Sequence, residues 1–124
     1  SSFNSLSMDP PMILWSLAKS AYSLPAFKQA RHFNVHVLSS DQDQISNNFS
    51  KKGSDKFKNI KYQNGLSDTP VLQDYAALFE CETAHHYDGG DHVIIVGKVV
   101  AFQRNRKNPL LFHGGNYAGI DSLI

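Results

Sequence analysis

Residues 82–100 read ETAHHYDGGDHVIIVGKVV, with three histidines and two aspartates around a Gly-Gly pair. Either these side chains gather on a metal ion, or the stretch is a β-hairpin that carries histidines beside its turn. Strand geometry favours the hairpin. Neighbours on a strand point to opposite faces, so His85 and His86 do not readily ligate one ion. With Gly89-Gly90 as a two-residue turn, Tyr87 pairs with His92 and His86 with Val93. His85 and His92 then share one face and His86 takes the other. Two histidines and a turn aspartate are a thin set for zinc, and no metal is expected. His92 stands apart, because it opens the apolar run HVIIVGKVVAF beside the turn, where a polar group faces a cleft.

The rest of the chain bounds what such a hairpin can belong to. Its 124 residues are enough for a single domain, 1–124, with a real core. Hydrophobic residues make up 41% and charged residues 19%, the balance of a soluble globular protein. A formal net charge of +1 gives no reason to expect nucleic acid or an anionic membrane as partner. Cys81 is the single cysteine, so no internal disulfide and no cysteine-rich zinc cage can form, and a cytoplasmic location is expected. The longest apolar runs are too short to span a bilayer, and no secretory leader is expected. It begins SSFNSLS rather than with Met, as a piece of a longer protein would.

Working along the chain, MILWSL at residues 12–17 reads as a buried strand. A helix follows with Ser23 at its N-cap and Pro25 in the first turn. In FNVHVLSS, Phe33, Val35 and Val37 alternate with Asn34, His36 and Leu38, the period of a strand with one buried face. SDQDQISNNFSKK then has acidic residues early and lysines late, which suits a helix macrodipole. Residues 53–70 read as loop plus a short helix, and residues from Ala76 onward as two long strands. The tail NPLLFHGGNYAGI reads as one short strand and a glycine-rich loop. Strands outnumber helices, so the expected class is a mainly β, barrel-like domain with a few helices.

Three further segments admit two readings each. Where the strand ends at Ser39-Ser40 and a helix begins, backbone N–H groups, serine hydroxyls and Ser46 can form an anion site. Equally, Ser40 or Asp41 caps the helix and binds nothing. The crowded hydroxyls of SSFNSLSMDPP can hydrogen-bond the edge of a flat heterocycle or form a surface loop. In FHGGNY, Gly114-Gly115 permits close approach of a ligand on which Tyr117 stacks, or simply makes a tight turn before a core tyrosine. Nucleophilic catalysis has little support: Cys81 lies mid-strand between Glu80 and Glu82, and no serine sits in a G-x-S-x-G elbow. An enzyme built this way needs a cofactor to carry the chemistry.

SSFNSLSMDPPMILWSL, FNVHVLSSDQDQISNNFS, DKF, FECE, DGGDHVIIVGKV and PLLFHGGNY occur in that order. Together they resemble the short-chain flavin reductases, the split-barrel FMN-binding family that includes the reductase components of two-component flavin monooxygenases such as 4-hydroxyphenylacetate 3-monooxygenase. The likeness runs from Ser1 to about Ala118. Members usually carry a helix and one or two strands before the first motif, so the chain reads as a split barrel lacking its N-terminal helix and first strands. The resemblance implies that Ser2, Asn4 and Ser5 lie along the isoalloxazine and ribityl side, with Ser16 and Leu17 near the flavin chain. It implies that Ser39, Ser40, Gln44 and Ser46 hold the flavin phosphate, that His92 stands near the nicotinamide and the flavin ring, and that Tyr117 closes the pocket.

The implied function is an NAD(P)H:flavin oxidoreductase. It would transfer a hydride from NADH or NADPH to FMN or FAD and supply reduced flavin to a separate oxygenase. A homodimer is implied, with no nucleic-acid or membrane partner. The alternatives are a non-catalytic flavin-binding module on the same barrel, or a purely structural β-barrel. Flavin-dependent oxidation of NAD(P)H separates the enzyme from both.

Overall fold

The structure is a computed structural model, and it describes residues 3–51, 56–58 and 60–120. Ser2 lies outside the described residues. The chain forms two compact units, Ser1–Asn34 with Phe79–Ala101, and Val35–Leu78 with Phe102–Ile124.

The central element is a five-stranded sheet in the order β1-β2-β7-β6-β3. Its strands are β1 (Phe3–Met8), β2 (Pro11–Ala18), β3 (His32–Val37), β6 (Ala77–Gly89) and β7 (His92–Arg104). Helix α1 (Leu24–Gln29) precedes β3, with Ser23 at its N-cap and proline in its first turn as expected. Two departures from the sequence reading matter. From Phe3 the serine-rich opening is not a surface loop but strand β1, paired antiparallel with β2 and shifted in register between Ser5 and Ser7. The hairpin turn is Gly90-Asp91 rather than Gly89-Gly90, because β6 continues through Gly89. Gly90 has φ +73 and Asp91 is not among the residues of positive φ, the pattern of a type II′ turn, which needs glycine only at its first central position. The expected pairing of Tyr87 with His92 goes with that correction.

Register sorts the first unit's side chains into two faces. β2 pairs with β7 through Ile13↔Gly97, Trp15↔Ile95 and Leu17↔Val93, and these residues share one face by strand alternation. That face is the core: Ile13, Val93 and Ile95 are 4%, 5% and 1% exposed. The Trp15 ring meets Phe27 edge-on at 4.9 Å and Phe33 at 5.8 Å. Burying each aliphatic side chain of this kind stabilises by about 1.5–3 kcal/mol.

In the second unit, helix α2 spans Asp43–Ser50, and two short hairpins follow it in sequence. The short helix expected between residues 53 and 70 is a 3-10 helix at Leu66–Asp68, and it joins two strands that were not expected, β4 (Tyr62–Asn64) and β5 (Pro70–Leu72). Strands β8 (Leu111–His113) and β9 (Asn116–Ala118) turn at Gly114-Gly115, with φ of +59 and +83. The tail is therefore a hairpin rather than one strand and a loop, since two successive left-handed residues allow the tightest reversal. Val71, Tyr75 and Leu78 form a buried cluster in this unit.

Candidate functional site

The candidate residues of the first unit fall on both faces of its sheet. Asn4 pairs with Leu14, Ser16 with Ile94, and Ala18 with His92. Alternation along β2 therefore sets Asn4, Ser16 and His92 on one face, together with Leu14, Ile94 and Val96. Ser5 pairs with Ile13 and Leu17 with Val93, so both belong to the opposite face that carries the core. Side-chain contact with one planar ligand is thus open to Asn4, Ser16 and His92 together, and Ser5 and Leu17 can join it only through their backbones. Asn4 is exposed and Ser16 and His92 are half-buried, so the face offers a few polar groups on an apolar floor.

His92 is held in place from its own turn. Its Nδ1 lies 2.8 Å from Asp91 Oδ1. Asp91 is anchored in turn, because its carbonyl accepts the Lys19 N–H at 2.8 Å, and the Lys19 ammonium pairs with Asp88. The hydrogen bond from His92 holds the Asp91 carboxyl below the usual carboxylate range, and Lys19 does the same for Asp88. With Nδ1 engaged by a carboxylate, Nε2 is the ring nitrogen left for a ligand. His85 and Tyr87 stack on each other at 5.6 Å, and His85 and His86 are exposed. Among the described residues, no three His, Cys, Asp or Glu side chains come together as a metal site.

In the second unit, the structure joins two candidates separated by 71 positions: Ser46 Oγ and Tyr117 OH are 2.9 Å apart. Phe112 packs edge-on against Tyr117 at 5.4 Å, so the β8–β9 hairpin presents its tyrosine to the α2 helix. Ser39 is engaged otherwise. It is 2% exposed, its N–H donates to Gln42 Oε1 (2.9 Å), and its hydroxyl donates to Asp41 Oδ1 (2.5 Å). Gln42 also donates through Nε2 to Asp74 O at 2.9 Å. This network shapes the loop before α2, and it places the N-cap at Gln42 rather than at Ser40 or Asp41. Ser40 and Gln44 are exposed, as an anion-binding role requires.

Cys81 is core, 1% exposed, and burial, with the Glu80 charge adding to it, pushes its thiol up to about 12. It is not a nucleophile. Sequence reasoning missed Asp91 and Lys19 as the groups that fix His92. The Asp-His order at the turn was visible, but the grip of Lys19 spans 72 positions and has no local signature.

Comparison with known proteins identifies the family. The chain is 44% identical over 116 residues to FMN reductase (NADH) SmoA of Agrobacterium fabrum, covering 94% of this chain and 66% of that protein. It is 33% identical over 123 residues to the flavin-dependent monooxygenase reductase subunit HsaB of Mycobacterium tuberculosis, covering 97% and 66%. The chain thus spans just under two thirds of the length of both relatives. Among solved structures, the NADH:FAD oxidoreductase SgcE6 of Streptomyces globisporus, in complex with NAD and FAD fragments, superposes with a TM-score of 0.89 at 30% identity, covering 94% of this chain and 72% of that one. The mainly β fold with two helices is the split-barrel fold of flavin reductases. The family model described as "Flavin reductase like domain" matches residues 1–121, and the chain belongs to that family.

Proposed function

We propose that the protein is an NAD(P)H:flavin oxidoreductase. The observation that carries this reading is the register that sets Asn4, Ser16 and His92 on one half-exposed, apolar-floored face, in a chain of this family. A flat heterocycle would suit such a face, where Leu14 and Ile94 would supply apolar surface and Asn4, Ser16 and His92 an amide, a hydroxyl and an imidazole to hold it. The bound flavin supplies the chemistry by accepting a hydride from the reduced nicotinamide. The residues of the chain orient and shield. His92 presents Nε2, with Asp91 fixing the ring from the other side. Leu14 and Ile94 exclude water from the reacting faces, which strengthens every hydrogen bond made there. Ser40, Gln44 and Ser46 would hold the flavin phosphate, Tyr117, in hydrogen-bond contact with Ser46, would close the pocket, and Ser39 shapes the loop that carries Ser40. FMN and FAD are both candidates, since the relatives named above include an FMN reductase and an NADH:FAD oxidoreductase.

The same reading takes the two units as parts of one family domain, which the match over residues 1–121 supports. A homodimer belongs to it as well: β1 is an edge strand, and it exposes Leu6 at 51% and Met8 at 93%. So does a separate oxygenase that takes the reduced flavin, as the subunit name of HsaB states for that protein. No described helix is long and apolar enough to cross a membrane, and the free, buried Cys81 fits a cytoplasmic setting.

The test is oxidation of NADH and of NADPH by the full-length protein with and without FMN or FAD. Absence of flavin-dependent oxidation refutes the proposal, and bound flavin without turnover makes the protein a flavin carrier instead. Within an active enzyme, His92→Ala lowers kcat by about tenfold or more while leaving flavin Kd nearly unchanged, the scale of one lost hydrogen bond to a charged group. Ser46→Ala does the reverse and weakens flavin binding by about tenfold. Equal effects on kcat and Kd in both variants would contradict the assigned roles.

A further inference from the structure

The stretch RNRKN at residues 104–108 concentrates three cations in a chain whose 12 basic and 11 acidic residues otherwise nearly balance. Arg104, Arg106, Lys107 and Asn108 line an open groove of about 540 Å³. The backbone beneath them is pinned. Asn105 donates through its N–H to Ala76 O and through Nδ2 to Tyr75 O, both at 2.9 Å. Lys107 N–H donates to Asn105 O at 2.9 Å, and the Lys107 ammonium pairs with Asp74. Lys107 is therefore neutralised, and Asp41 adds a second carboxylate to its surroundings. Arg104 and Arg106 are different: both are exposed, and neither side chain has a hydrogen bond or ion pair among the described residues.

Two guanidiniums without a counter-charge, one at the end of β7 and one in the bend just after it, suit a phosphate, whose oxygens accept their paired N–H groups. The groove also runs directly into the loop read above as the phosphate-holding side. Ser40 N–H donates to Asn108 O at 2.9 Å, Ser39 bridges Pro109, and Leu110 N–H donates to Leu38 O at 2.8 Å. We infer that this groove is a subsite for a nucleotide phosphate beyond the ribityl phosphate of the flavin. The ligand chemistry is a phosphate ester on an adenosine, either the adenylate of FAD or the 2′-phosphate of NADPH. The inference rests on the flavin-reductase reading and goes past it, by giving this chain a means to tell a larger or more highly charged nucleotide from FMN or NADH.

The test compares the full-length protein with the Arg104→Gln/Arg106→Gln variant, whose melting curve serves as the control for folding. Inorganic pyrophosphate is titrated into both by calorimetry, and KM is measured for FMN, FAD, NADH and NADPH. The expected result is saturable pyrophosphate binding that the variant loses, with KM for FAD or for NADPH raised by about tenfold and KM for FMN and NADH unchanged. A rise confined to FAD assigns the adenylate, and a rise confined to NADPH assigns the 2′-phosphate. Four unchanged KM values, four that rise together, or no pyrophosphate binding by the unaltered protein would each overturn the inference. If the unaltered protein oxidises neither nicotinamide with either flavin, the flavin-reductase reading falls first. The pyrophosphate titration then decides the groove by itself.

Discussion

Gly97→Ala lowers the stability of the protein by about 3 kcal/mol, a fall of about 10 °C in melting temperature for a chain of this size. Gly97 lies on β7 opposite Ile13. A Cβ added there would stand 2.4 Å from Phe33 Cζ, 2.8 Å from Phe33 Cε1 and 3.1 Å from Cys81 Cβ. The Phe33 ring has no room to retreat, because it is 2% exposed and Trp15 packs beside it, itself braced by Phe27. Overpacking of a dense interior costs about 1–3 kcal/mol, and the shortness of these distances puts this case at the upper end. Phe33→Leu in the same chain relieves the clash, so the double variant is more stable than the sum of the single effects by roughly 1 kcal/mol or more. Denaturant titration of the two single variants and the double variant measures this directly. Additive effects, or a loss below about 1 kcal/mol for Gly97→Ala, would show that the contact is not what excludes a side chain there.

Acidification destabilises the second unit through His36. Burial lowers its imidazole from the ordinary 6.5 to about 4. Its Nε2 accepts the Leu72 N–H at 3.1 Å, and its ring meets Tyr75 edge-on at 5.7 Å. Protonation would charge a desolvated ring and turn its acceptor nitrogen into a donor, leaving the Leu72 N–H without its partner. Between pH 6.5 and 4 the unfolded chain binds a proton at this position that the folded chain does not, so stability rises with pH. The contribution is complete above about pH 6.5 and is lost as pH falls toward 4. It amounts to about 2–3 kcal/mol between pH 7 and 4.5. His36→Gln keeps an acceptor and removes the titration, and its stability is flat across that window once other groups are subtracted. Asp74, Asp88 and Asp91 are held below the usual carboxylate range, so their contributions are lost at lower pH still. Denaturant midpoints of both proteins at pH 7 and 4.5 settle the matter, and an equal acid loss in both would assign the effect elsewhere.

What local sequence encodes and what it leaves open divide along a physical line. Local pattern was sufficient for β2, α1, β3 and the two long strands, because side-chain period, a proline in a first turn and apolar runs act over a few residues. Order of motifs was sufficient for the family. The turn was misplaced by one residue, since GG and GD both satisfy the local preference and only the continuation of β6 through Gly89 chooses between them. In the tail the short strand and the Gly114-Gly115 turn were legible, but strand β1 and strand β9 were not, as short polar strands exist by virtue of the partner they pair with.

The site depended on tertiary structure most of all. From the letters alone, Asn4, Ser5, Ser16 and Leu17 are equivalent candidates. Register between β1, β2 and β7 separates them, because pairing fixes which residues share a face, and one step reverses it. Ser39 and Ser46 likewise look alike in sequence. One is buried against Asp41 and Gln42, and the other meets Tyr117 from 71 positions away. The sequence by itself determined the family, most of the elements and the list of candidates. The tertiary structure decided which candidates share a surface and what holds each one, because those contacts are made between segments far apart in the chain.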